Sequence, residues 1–149
     1  MTSPPHRCSI LIIEDEPDLQ DVLRVALETD GYDVAVVDNG RDALKHLRST
    51  PSTCLIILDL FLPVLDGQTF RAAQLRDRSL AWIPVIVMSG GVDAGREARE
   101  LGARVFVRKP VDLDEFREVV KSVGCLRLRQ RPEERAEARG KAWSEDDDR

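Results

Sequence analysis

Four apolar runs in this chain stop at residues that can do chemistry. Residues 9–13 run into Glu14 and Asp15, residues 54–58 into Asp59, residues 84–88 into Ser89, and residues 104–107 end just short of Lys109. Asp59 sits inside CLIILDLFLPVLDG, apolar on both sides. An ionised carboxylate is costly to bury without partners. None stands nearby in sequence, so the partners of Asp59 come from other strand ends. Brought together, Glu14, Asp15 and Asp59 repel, and at least one of them holds its proton above the ordinary carboxylate range. A divalent cation relieves that repulsion. An all-oxygen set with no His or Cys suits Mg²⁺, which keeps several waters and takes only one or two carboxylates, with Mn²⁺ a possible substitute. Such an ion also recruits phosphoryl oxygens and neutralises charge during transfer. Lys109 adds a compact positive charge and Ser89 a hydroxyl donor. Asp59 is then a candidate nucleophile that forms an acyl phosphate.

The elements that position these residues follow from two alternating periodicities. Short runs rich in Ile, Val and Leu at residues 9–13, 33–37, 54–58, 84–88 and 104–107 read as buried parallel strands. Between them, Leu19, Val22, Leu23, Ala26 and Leu27 fall on one helical face, with Gly31 as its stop. Ala43, Leu44 and Leu47 mark a second helix, and Phe70, Ala73 and Leu75 a looser third. Ala94, Ala98 and Leu101 mark a fourth, ended by Gly102. Leu113, Phe116, Val119, Val120 and Val123 mark a fifth, ended by Gly124, with Asp112 and Glu115 resembling a capping box at its start. Strands alternating with helices predict an α/β fold, a doubly wound parallel sheet with helices on both faces and right-handed crossovers. In such sheets, sites lie at the carboxyl ends of the strands.

The 149 residues suit one domain. A net charge of −5 argues against a nucleic-acid surface, and no apolar run approaches the ~18 residues of a membrane span. The start, MTSPPHR, has no signal-peptide core. Cys8, Cys54 and Cys125 are odd in number and lack CxxC spacing, so they read as reduced thiols of a cytoplasmic protein. The organisation expected is a disordered start over residues 1–7, one domain over 8–124, and a charged tail over 125–149 that extends the last helix and frays into disorder. His6, His46 and the acidic end of the tail read as surface groups. Trp143 is either an exposed tail residue or an anchor for a partner.

Over residues 8–124 the chain resembles the receiver domain of two-component response regulators, in LIIEDEPD, LDLFLPVLDG, VIVMSGG and FVRKPVD, in that order. The resemblance implies a flavodoxin-like five-stranded sheet of order 2-1-3-4-5 with five helices. It implies that Asp59 accepts a phosphoryl group from a partner histidine kinase or phosphotransfer protein. It implies Mg²⁺ held by Asp15, Asp59 and the backbone carbonyl of Phe61, with Glu14 acting mainly through water. Ser89 is then the residue that moves toward the phosphoryl group, with Phe106 turning inward behind it, and Lys109–Pro110 a cis bond. The departures are Glu14 where Asp is as usual, and Phe106 where Tyr is common. Phe61 and Gly91 hold positions that influence hydrolysis of the phosphoryl group. Neither can orient a water, which predicts slow to moderate self-dephosphorylation.

On this reading the protein is a signalling switch and not a conventional enzyme. It is expected to stand alone, without a DNA-binding domain, and to act by binding an unidentified downstream protein or by passing the phosphoryl group on. The fourth helix, fifth strand and fifth helix form the expected interaction face, open to a homodimer. Two other readings compete. A metal-dependent phosphatase on a similar sheet needs a second acid two residues after its nucleophile, where this chain has Phe61. A degenerate receiver that never takes phosphate would lack some of the site residues, and all are present.

Overall fold

The computed structural model describes residues 9–129 apart from residue 63, with side chains as far as residue 123. The strands are β1 (Ser9–Ile13), β2 (Asp33–Val37), β3 (Thr53–Asp59), β4 (Val85–Ser89) and β5 (Val105–Arg108). The helices are α1 (Pro17–Thr29), α2 (Gly40–Ser49), α3 (Gly67–Arg76), α4 (Ala94–Glu100) and α5 (Leu113–Arg129). All strand pairs are parallel, in the order β2-β1-β3-β4-β5.

Alternation along the strands divides the core in two. Ile10, Ile12, Leu55, Ile57, Ile86, Met88 and Val107 pack with Leu23 and Leu27 of α1 and with Phe116, Val120 and Val123 of α5. Their neighbours Leu11, Ile13, Ile56, Leu58, Val85 and Val87 pack on the other face with Ala43, Leu47, Phe70 and Ala98 of α2, α3 and α4. Because β1, β3 and β4 are covered on both faces, they read as unbroken apolar runs.

Local chemistry sets the helix starts. Pro17 opens α1, and the side chains of Asn39 and Asp66 cap α2 and α3 by accepting from the backbone N–H groups of Asp42 and Thr69. Asp112 accepts from the Glu115 N–H at 3.0 Å, as the capping-box spacing predicts. The third helix departs from its expected face. Leu75 is 49% exposed, while Arg71 and Gln74 are buried in its place. Val22 of α1 also lies outward, 46% exposed. Gly124 does not end α5, which continues to Arg129. The expectations for residues 1–7 and for the tail beyond Arg129 lie outside the described residues. Cys54 is disulfide-bonded, against the expectation of reduced thiols. An odd cysteine count excludes complete pairing but leaves room for one bond. Among the described residues no helix is long and apolar enough to cross a membrane.

Candidate phosphoacceptor site

The same alternation that sorts the core sorts the site. Glu14 and Lys109 lie one residue beyond β1 and β5, and Asp59 is the last residue of β3. By register position all three fall on the side of the sheet that packs against α1 and α5. Ser89 and Phe106 have the opposite parity and fall on the side of α2, α3 and α4.

Glu14 is fully buried and Asp59 only 4% exposed. The Lys109 ammonium donates to both Glu14 carboxylate oxygens at 3.0 and 3.2 Å and to Asp59 Oδ2 at 3.3 Å. The other Asp59 oxygen, Oδ1, accepts the Phe61 backbone N–H at 3.1 Å. Gly67, the first residue of α3, lets that loop turn closely, since a Cβ there would lie 3.0 Å from the Asp59 carbonyl oxygen and the Leu60 Cα. Lys109–Pro110 is cis, as the resemblance implied.

One cation among three carboxylates leaves the cluster short of positive charge. Burial pushes Glu14 up to about 8, the Asp59 carboxylate pushes in the same direction, and Lys109 only partly opposes them. Burial on its own pulls Lys109 down, but the hydrogen bond to Glu14 and the charges of Asp59 and Glu14 outweigh it and hold the ammonium above its ordinary value. Asp15 is exposed at the rim, and one oxygen each from Glu14, Asp15 and Asp59 lie within 4.8 Å of one another. Hard oxygen donors, an unmet charge and an open side fit a divalent cation of the Mg²⁺ type.

Ser89 is fully buried, and its hydroxyl oxygen accepts the Gly91 N–H at 3.3 Å. Phe106 is half-buried beside α4, where a Cβ on Gly95 would sit 3.7 Å from its ring. The Phe61 ring is 62% exposed and lies over Gly91, so that a Cβ there would come within 3.2 Å of it. It bridges the loops that follow β3 and β4.

Three supporting residues carried no sequence signal. The Gln20 amide donates to the Glu14 carbonyl and, at 2.7 Å, to Asp38 Oδ1, tying the β1 and β2 ends together. Arg108 stacks on Phe106 at 5.3 Å from the ring centroid and donates to the Gly91 carbonyl at 3.3 Å. Arg71 donates to the Leu101 and Gly102 carbonyls and to Gln74, joining α3 to the end of α4. Polar residues on helix surfaces ordinarily read as solvated, and only folding reveals which carbonyls they meet.

The sequence pattern of the response regulator receiver domain matches residues 10–121, most of the chain. The chain belongs to the response regulator receiver domain family. It is 36% identical over 110 residues to a DNA-binding dual master transcriptional regulator of Synechocystis, covering 72% of this chain and 45% of that protein. It is 33% identical over 116 residues to sporulation initiation phosphotransferase F of Bacillus subtilis, covering 75% of this chain and 90% of that protein. Among solved structures, the signal receiver domain of a signal transduction histidine kinase from Syntrophus aciditrophicus superposes with a TM-score of 0.72 at 32% identity, covering 79% of this chain and 90% of that one. The chain spans less than half the length of the first of these relatives.

Proposed function

We propose that this receiver domain is switched by phosphorylation of Asp59, with a histidine kinase or a phosphotransfer protein as donor. What supports this reading most is the buried, charge-deficient trio of Glu14, Asp59 and Lys109 at the carboxyl edge of the sheet. An Asp59 carboxylate oxygen forms a bond to phosphorus as the donor's P–N bond breaks, and the departing imidazole takes up a proton. Asp15, Asp59 and the Phe61 carbonyl would hold Mg²⁺, or Mn²⁺ in its place, with Glu14 acting through water. The ion would supply charge neutralisation around the transferring group. Lys109 holds the acceptor and its neighbour in place and can offer its positive charge to the incoming oxygens.

The hydroxyl of Ser89 turns from the Gly91 N–H toward the phosphoryl group, and Phe106 moves inward behind it. The face built from α4, β5 and α5 changes as a result. Output passes through protein contacts on that face, a second copy among them, or through onward phosphoryl transfer, and not through direct nucleic-acid contact. The domain assists its own phosphorylation and dephosphorylation without acting on a separate substrate. The exchange takes place in the cytoplasm, and the functional unit covers residues 8–124.

Intact mass after incubation with acetyl phosphate and Mg²⁺ tests the acceptor. One phosphoryl gain is expected in wild type, dependent on Mg²⁺ and absent in Asp59→Asn. Failure of wild type to gain mass and to bind beryllofluoride with Mg²⁺ would promote the competing view of a binding module that never takes phosphate. The decay of the phosphorylated species tests the role of Phe61 and Gly91. Slow to moderate loss is expected, and a lifetime of seconds would contradict it.

A further inference from the structure

Two grooves flank the fold on opposite sides, and their charges differ. One, of about 530 Å³ between α1 and α5, carries Val22, Val25 and Leu113 together with Asp21, Asp114 and Arg117. The other, of about 480 Å³, lies between α2 and the loop after β3, with Leu44, Val64 and Leu65 as its apolar surface and Arg41, Lys45 and Arg48 around it. All three charged residues of the second groove are cations. Among the described residues no ion pair engages Arg41 or Lys45, and Arg48 reaches Asp77 only at 3.5 Å. Val64 is 69% exposed and holds a left-handed backbone, φ 67°, that a β-branched residue rarely adopts. It presents an apolar side chain to the groove at a conformational cost.

The chain contains a segment of matching chemistry. Residues 143–148 read WSEDDD, an aromatic followed by four carboxylates. We propose that this segment docks in the α2 groove, with the Trp143 indole against Leu44, Val64 and Leu65 and the carboxylates facing Arg41, Lys45 and Arg48. A buried indole supplies the large apolar area that anchors such contacts. The acidic residues of the α1/α5 groove disfavour the same segment there, so charge selects between the two sites. Reach permits the contact. Trp143 lies fourteen residues beyond Arg129, the last residue of α5. An extended chain of that length spans up to about 45 Å, against a radius of gyration of roughly 14 Å for a domain this size.

The groove adjoins the phosphoacceptor loop. Leu65 accepts the Gly40 N–H at 3.3 Å, and six residues earlier the same loop begins at Asp59. A docked tail therefore rests on the segment that joins α2 to the acceptor.

Zero-length carbodiimide coupling of the full chain at low salt, read by peptide mass spectrometry of the monomer fraction, tests this. An amide between Lys45 and a carboxylate of residues 145–148 is expected, several-fold weaker in Trp143→Ala and at high salt. Tail carboxylates coupled without preference among exposed lysines, or to Lys45 only in a dimer fraction, would overturn the proposal. The Trp143 indole N–H resonance gives a second measure. It should shift on Arg41→Glu with Lys45→Glu and return when Asp146, Asp147 and Asp148 are also changed to Lys. An indole signal indifferent to the groove charges would overturn it as well.

Discussion

Among the described residues, the polar cluster around Arg71 and the one around Lys109 are both buried, and they are built on opposite terms. At the foot of α3, Arg71 donates to the Leu101 and Gly102 carbonyls and at 2.7 Å to Gln74, while the Gln74 amide donates to the Leu80 and Ile83 carbonyls at 3.0 Å. Donors meet neutral acceptors, and the network ties α3 to the loops before β4 and β5. At the carboxyl edge of the sheet, one ammonium faces two buried carboxylates with a third at the rim. The first cluster is satisfied by neutral partners of the protein itself. In the second, one ammonium serves two buried carboxylates and Glu14 is driven to hold a proton, and perturbed buried groups of this kind are where binding and chemistry are to be sought.

Removing the cation from each cluster separates the two roles most sharply. Arg71→Met leaves several buried carbonyls without donors and should cost roughly 2–4 kcal/mol of stability. The loss should be the same at pH 5 and pH 8, and the folded fraction should still take the phosphoryl group. Lys109→Met should cost less at pH 5, where Glu14 is protonated, than at pH 8, and should abolish the response to phosphorylation. Urea unfolding at both pH values, alongside phosphorylation assays, checks the pair. Equal pH behaviour in the two variants would erase the distinction.

Glu14 gives the next largest effect. Its folded value of about 8 lies above its ordinary 4.5, so between these the folded chain holds a proton that the unfolded chain has lost. Stability of the metal-free protein should therefore fall as pH rises from about 4.5 to about 8, by on the order of a few kcal/mol, and level off beyond. Glu14→Gln should flatten the slope, and Mg²⁺ should reduce it in wild type. Unfolding midpoints across this window in the presence of a chelator test the sign, and a rising curve would contradict it.

Ser89→Ala gives the smallest structural effect. Among the described residues its hydroxyl makes one long hydrogen bond, 3.3 Å to the Gly91 N–H, and its loss should cost under about 1 kcal/mol. If the switch works as proposed, the response of the α4–β5–α5 face to phosphorylation is lost all the same. A large stability loss would instead place Ser89 with the structural cluster.

The amino-acid sequence by itself determined the alternation of strands and helices, because apolar runs of about five residues and helical faces such as Leu23 and Leu27 are local patterns. β1 and β2 begin and end where the pattern places them, and the cap at Asp112 follows from a side chain that reaches its own backbone. It also placed Glu14, Asp59, Ser89 and Lys109 at strand ends, since a polar residue closing an apolar run is visible without coordinates. Only the tertiary structure decided that Lys109 binds Glu14 more closely than Asp59, at 3.0 against 3.3 Å. Only it decided that Leu75 faces outward while Arg71 and Gln74 are buried, that Cys54 is bonded, and that Phe61 lies over Gly91. Each of these depends on which atoms of distant segments meet. A helical or strand periodicity reports which side of an element is apolar, and is silent about what a long polar side chain finds when it crosses to another element.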